Sequence, residues 1–282
     1  TPFSMSYNKS AFFIFRRVFG LLSLWWVLPF VLHSDLWFSE SALFLVQRHV
    51  PIFGLQIGLD LPASMLFIAF FLASLGLILN WIPRLSSFLL FVGMCSIVSV
   101  PGYAPRGVDV LFRFIALLFV LYPWPFIADA KWQWLRIAEN PAHVLRVQFF
   151  ILYASNTVAK ILGPDWISGQ AVAYVSMLRD LNFFSVYDFF TIPTVSALFT
   201  YLTIALEGLL AIFVLCKPLR FSFLVIAVSF HLTLGLLFLL NPWHEMMIAC
   251  WIFIYASDQQ NFSNSFLSRV QCTAKRLLFR IR

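Results

Sequence analysis

Apolar residues run along this chain in unbroken stretches of about 20, not in the alternation of a strand or the one-sided stripe of a surface helix. The stretch FFIFRRVFGLLSLWWVLPFVL has the length a helix needs to cross a ~30 Å hydrocarbon core, and the pattern recurs. It predicts hydrophobic segments at about 12–33, 61–81, 85–103, 109–128, 146–163, 195–215, 219–240 and 243–257. The last is short, and Pro101 falls near the end of the third. A membrane β-barrel would show alternating segments of about ten residues, and none occurs. The fold class expected is therefore all-α: a polytopic transmembrane helical bundle of about eight hydrophobic segments, one domain over 1–257.

The segments between the runs refine this picture. Residues 34–60 and 164–194 are rich in aromatics, mix apolar with polar positions, and are expected as interfacial helices or re-entrant caps on the outer leaflet. The stretch 129–145 is too short for a domain. Residues 258–282 interleave apolar residues with arginines and are expected as a basic amphipathic cytoplasmic tail on the anionic inner leaflet. There is no internal repeat.

Composition confirms the solvent. The 282 residues are 61% hydrophobic and 11% charged, against about a quarter charged in a soluble domain. The net charge of +7 is spread over the ends of segments, not along a basic stripe, so it argues for membrane topology and against nucleic acid. With both termini inside, fourteen Lys and Arg face the cytoplasm and three face out, which fixes N-in, C-in. The first run is too long for a cleaved signal and lacks a small-residue exit. No structural disulfide is expected among Cys95, Cys216, Cys250 and Cys272, since none falls in an outer loop.

The chemistry must lie in the polar residues that the bilayer disfavours. Arg113, Lys160, Glu207 and His231 fall within segments, and Asp109, His244 and Glu245 near outer ends. Each charge at such depth costs roughly 2.5–3.5 kcal/mol to insert, so these groups are expected to face one another or a wet cavity in the outer half of the bundle. Each also has a plain structural reading. Lys160 can snorkel to the interface. Asp109 and Arg113, at i, i+4 and so on one face, can be a helix-to-helix staple. Glu207 is protonated or paired, most simply with Arg113 or Lys160, and a lone histidine such as His231 can be a packing residue. His244 and Glu245 are adjacent and point different ways, and no metal-ligand spacing occurs, so no metal is expected. A buried lysine can serve as a base toward a lipid-soluble substrate such as a quinol, unless an ionised Glu207 claims it as a structural partner.

At these residues the chain resembles a known family. FRRVFGLLSLWWV with SDLWFSES, then LRVQFFILYASNTVAKILGPDWISGQAVAY, then IALEGLLAIFVL and LRFSFLVIAVSFHLTLGLLF, are similar in order to segments of the HTTM family. That family includes the membrane portion of vitamin K-dependent gamma-glutamyl carboxylase. The resemblance covers about 12–257. It implies that Lys160 corresponds to the base for vitamin K hydroquinone, with Tyr153 and Trp166 flanking it in the motif. It makes His231 the helix histidine near the hydroquinone and Glu207 the family's acid. A quinol cofactor is implied with them.

Two departures shape the functional expectation. Gly107-Val108-Asp109 stands where the carboxylase has an Asn-His pair, and the lumenal recognition domain is not found after the bundle. The size is closer to small bacterial members, one of which helps mature a secreted sporulation-delaying peptide toxin with a soluble partner. The expectation is a bacterial inner-membrane protein that matures an exported peptide. Catalytic Lys160, His231 and Glu207 would form its outward-facing site, with Arg113, Asp109, Tyr153, Trp166, His244 and Glu245 on the substrate side. Its partners would be membrane lipid, a protein partner and the peptide. The alternatives are a quinol-dependent carboxylase or oxidoreductase with its recognition domain in trans, and a non-catalytic membrane scaffold.

Overall fold

The structure is a computed structural model that describes residues 9–33, 49–52, 55–58, 63–98, 107–122, 140–178, 187–238 and 242–258. Its long helices are α1 (Lys9–Leu32), α2 (Ala63–Ile78), α3 (Pro83–Val98), α4 (Gly107–Leu121), α5 (Pro141–Leu162), α9 (Pro193–Phe213), α10 (Arg220–Leu237) and α11 (Trp243–Asp258). Between α5 and α9 lie three short ones, α6 (Pro164–Ile167), α7 (Ala171–Met177) and α8 (Tyr187–Phe190). Each predicted hydrophobic segment coincides with one long helix. Proline starts α3, α5, α6 and α9, where its missing N–H would be unpaired anyway.

Ser10–Leu32, Pro193–Phe213 and Arg220–Leu237 are long and apolar enough to cross a membrane, with mean hydropathies of 1.6, 1.8 and 1.8. Ser64–Ile78 and Pro83–Val98 are shorter apolar helices. The 22-residue α5 is long enough but not apolar enough, because it carries the polar positions from which the site is built.

One element departs from the helical expectation. Within 34–60, where an interfacial helix or cap was expected, β1 (His49–Ile52) pairs antiparallel with β2 (Leu55–Gly58), His49 opposite Gly58 and Ile52 opposite Leu55. Pro51 cannot continue a helix, and Val50, Ile52 and Ile57 are β-branched, so the local preference is for strand. The rest of that stretch, residues 123–128 of the fourth predicted segment, 129–139 of the linker, 179–186 of the second outer stretch and the tail from 259 lie outside the described residues. The 164–194 stretch does hold short helices, α6 to α8.

The chain forms two compact units, one of residues 13–139, the other of 1–12 with 140–282. In the first, Trp26 of α1 stacks on Phe70 of α2 and Phe112 of α4, with ring centroids 5.9 and 6.1 Å away. Its indole N–H donates to Asp109 Oδ1 at 2.9 Å. Arg16, counted from sequence among the cytoplasmic positives, is buried here and donates to the Asn80 side chain at the turn between α2 and α3.

In the second unit α9 packs along α5, and α11 packs on both α10 and α5. A row of hydroxyls on α9 grips the chain between α6 and α7. Ser196 and Thr200 donate to the Gly169 carbonyl at 2.8 and 3.2 Å, and Tyr201 to the Ile167 carbonyl at 2.7 Å. Gly169 has φ +76°, and a Cβ there would lie 2.9 Å from Ala197 Cβ. Only glycine meets both demands, the left-handed backbone and the close approach to α9. Gly169→Ala is therefore expected to cost about 2 kcal/mol, the sum of a left-handed backbone penalty and overpacking. Thermal unfolding of purified protein in detergent checks it; an unchanged midpoint would show that the grip on α9 is not needed.

Candidate functional site

Two polar constellations lie on one face of α5. Tyr153 and Lys160 are seven residues apart, two turns and so about 10 Å along the axis. Asn140 caps the start of this helix by accepting from the Ala142 N–H at 3.0 Å, and Gly163 ends it, with its N–H on the Lys160 carbonyl at 3.1 Å. The Gly163–Pro164 break then sends the chain into α6, which carries Trp166 back beside the lysine.

The first constellation is an ion pair. Lys160 Nζ lies 2.5 Å from Glu207 Oε2 of α9, with side-chain exposures of 16% and 11%. The ammonium also sits over the Trp166 ring, 4.9 Å from its centroid, within cation–π range. Of the two partners expected for Glu207, the structure selects Lys160. The amine is held between a carboxylate and an indole face, positioned to donate a hydrogen bond.

The second constellation is a chain of hydrogen bonds linking α5, α10 and α11. Trp251 Nε1 donates to the Tyr153 hydroxyl at 2.9 Å. That hydroxyl lies 2.8 Å from His231 Nε2, and His231 Nδ1 lies 3.3 Å from His244 Nδ1. All four side chains are buried. Their proton positions follow from the indole, which can only donate. With the tyrosine oxygen accepting from Trp251, its O–H donates to His231 Nε2. His231 then carries its proton on Nδ1 and gives it to His244 Nδ1, and His244 carries its own on Nε2. Reversing the order would leave the Tyr153 O–H with no acceptor among the described residues, at a cost of roughly 1–3 kcal/mol. His244 Nε2 ends the chain buried, with no hydrogen-bond partner among the described residues. Gly235 of α10 faces the ring, and a Cβ there would make ordinary van der Waals contact with His244 at 3.4 to 3.6 Å.

The remaining expected residues fall as follows. Asp109 and Arg113 belong to the first unit, where the Asp109 carboxylate takes the Trp26 N–H and Arg113 Nε donates to the Asp109 main-chain carbonyl at 3.1 Å. The i, i+4 staple thus runs through the backbone oxygen, while Arg113 also lies beside the Cys95 thiol. Glu245 is half-buried, and its Oε2 has no hydrogen-bond partner among the described residues. No group of three or more His, Cys, Asp or Glu side chains able to hold a metal occurs among the described residues.

Sequence reasoning missed Trp251, although it lies seven residues after His244 and so on the same face of α11. It also missed the hydroxyl row of α9 and the burial of Arg146 and Arg220. Arg146 reaches His143 at 2.8 Å, and Arg220 the Leu215 carbonyl at 3.4 Å.

No family model matches the chain, and no solved structure matches it. It is similar to the uncharacterized protein YitO of Bacillus subtilis (strain 168), 26% identical over 134 residues. That match covers 43% of this chain and 42% of the relative's length.

The proton order is open to direct measurement. Nitrogen-15 spectra of histidine-labelled protein in lipid are expected to show His231 protonated at Nδ1 and His244 at Nε2. A spectrum with His231 protonated at Nε2 would reverse the direction of the whole chain.

Proposed function

We propose that this chain is a multi-pass protein of a bacterial inner membrane, HTTM-like, with eight spans and both termini inside, that matures an exported peptide. The observation that carries the proposal is the Lys160–Glu207 pair beside Trp166. A bilayer excludes such charges unless they face each other or a substrate, and the chain holds this pair at the end of α5, next to a gripped loop. The partial similarity to a Bacillus protein supports the bacterial assignment. In this reading Lys160 orients an acidic or carbonyl group of the substrate, Glu207 holds the lysine and accepts a donor, and the Tyr153–His231–His244 chain fixes α10 and α11 behind them.

The quinol implied by the family resemblance fits the pair's chemistry, since a phenolic hydroxyl can donate to Glu207 and accept from Lys160. When bound it would supply electrons to the modification. The quinol and the peptide substrate are parts of the proposal, as is a protein partner that completes recognition.

The closeness of the same pair favours a second reading, a non-catalytic scaffold in which Lys160 and Glu207 join α5 to α9. The two readings part on a double substitution. Removing one member of a buried pair costs about 3–5 kcal/mol, whereas replacing both by apolar residues of similar size is close to neutral. Glu207→Leu alone is thus expected to unfold more easily, and Lys160→Met with Glu207→Leu to recover wild-type stability in thermal unfolding. Expressed in a host lacking its own copy, the stable double variant is expected to leave the exported peptide unmodified by mass spectrometry. Normal peptide from that strain would discard the catalytic role and leave the scaffold.

A further inference from the structure

Helices α9 and α10 follow one another through the short connection at 214–219, yet they touch only sparingly along their length. They are pinned at the connection by Phe213 on Phe223, stacked with ring centroids 3.9 Å apart and planes 14° apart. Away from it they part, and the space between them and α7 and α8 is a cavity of about 350 Å³. Protein interiors are packed as densely as organic crystals, so a gap of this size between neighbouring helices calls for an occupant.

The walls specify its chemistry. They are built mainly of Phe199, Leu206, Ile226, Phe230, Leu234 and Leu237, with no charged side chain among the lining residues. Two of the three hydroxyls there are bound to their own helices: Thr203 donates to the Phe199 carbonyl at 2.8 Å and Thr233 to the Ser229 carbonyl at 2.9 Å. With Ser229 the remaining polar side chain and no charge in the lining, a carboxylate or a phosphate would find no counter-charge inside. A plain hydrocarbon chain needs none.

The location supplies the source. Both helices are apolar enough to cross a membrane, and only 28% and 17% of their apolar windows are buried within the protein. Their outward side chains, among them Leu198, Ile212, Leu232 and Leu236, are exposed. A cleft between two such helices opens on hydrocarbon. We infer that the α9–α10 cavity is a binding site for one acyl chain of a bilayer phospholipid, its head group remaining outside at the membrane surface. The chain completes the packing that the protein's own side chains leave unfinished. It also presses on Phe230, whose ring meets His231 edge-on at 5.2 Å, so the lipid abuts the helix that carries the histidine chain.

The test is photolabelling of the full chain in vesicles of phosphatidylethanolamine and phosphatidylglycerol. A trace of the phosphatidylglycerol carries a diazirine midway along one acyl chain. Adducts mapped by mass spectrometry are expected to concentrate on Thr203, Leu206, Ser229 and Thr233, above the outward Leu198 and Leu236. Ser229→Phe, or Thr203→Phe from the opposite wall, should fill the cavity and abolish the wall adducts while leaving the outward ones. Equal labelling of walls and outward positions would overturn the site. Displacement of the wall adducts by a polyprenyl naphthoquinone would overturn the phospholipid assignment in favour of that tail. The wild-type pattern alone decides the first point, so the inference survives a filling variant that does not fold. It stands apart from peptide maturation, which none of these readouts measures.

Discussion

The second unit depends on one hydroxyl. Tyr153 sits where α5, α10 and α11 meet, taking a hydrogen bond from Trp251 and giving one to His231. The hydroxyl is buried away from water, so it must find its partners in the protein. A phenol can give once and accept at least once, which lets a single atom satisfy two helices and dictate the proton order of the next two side chains. The same bond fixes the rotation of α5. Once Tyr153 faces α10 and α11, the seven-residue spacing turns Lys160 inward as well, against Glu207 of α9.

The Lys160–Glu207 contact is a weaker argument for stability than its closeness implies. Removing two charges from water costs several kcal/mol each, and their attraction offsets that cost only with good geometry and further hydrogen bonds. The indole of Trp166 adds a face that favours a cation but accepts no proton from it. An apolar pair would join α5 to α9 as well. What the charged pair provides instead is a cation and an acceptor at fixed positions beside a loop held by Ser196, Thr200 and Tyr201.

Much of this was legible in the residues. The long apolar runs located every long helix among the described residues, because in lipid the helix is the one local structure that satisfies its own backbone. The inventory of disfavoured charges found Lys160, Glu207, His231 and His244, which the structure joins in two constellations. It did not find which would pair, since a sequence gives depth along each helix but not the rotation that selects Lys160 over Arg113. Trp251 was hidden by its residue type: it is one of ten tryptophans in the chain, and its N–H shows its role only once Tyr153 is opposite. The burial of Arg16, Arg146 and Arg220 was not legible for a related reason. A positive charge at a helix end orients a membrane protein whether or not its stem and head pack inward. The hairpin at 49–58 was misassigned because aromatic, amphipathic composition outweighed the local evidence of Pro51 and three β-branched residues.

The hydropathy of the helices also orders their assembly. α9 and α10 have the apolar length to enter a bilayer alone, and most of their surface faces outward. α5 is as long, but Arg146, Tyr153 and Lys160 lie on the face it buries or half-buries. Tyr153 and Lys160 are satisfied only when Glu207, His231 and Trp251 are already in reach. α5 therefore cannot bury this face ahead of its partners, so the helix that carries the candidate site is the one whose packing depends most on the others.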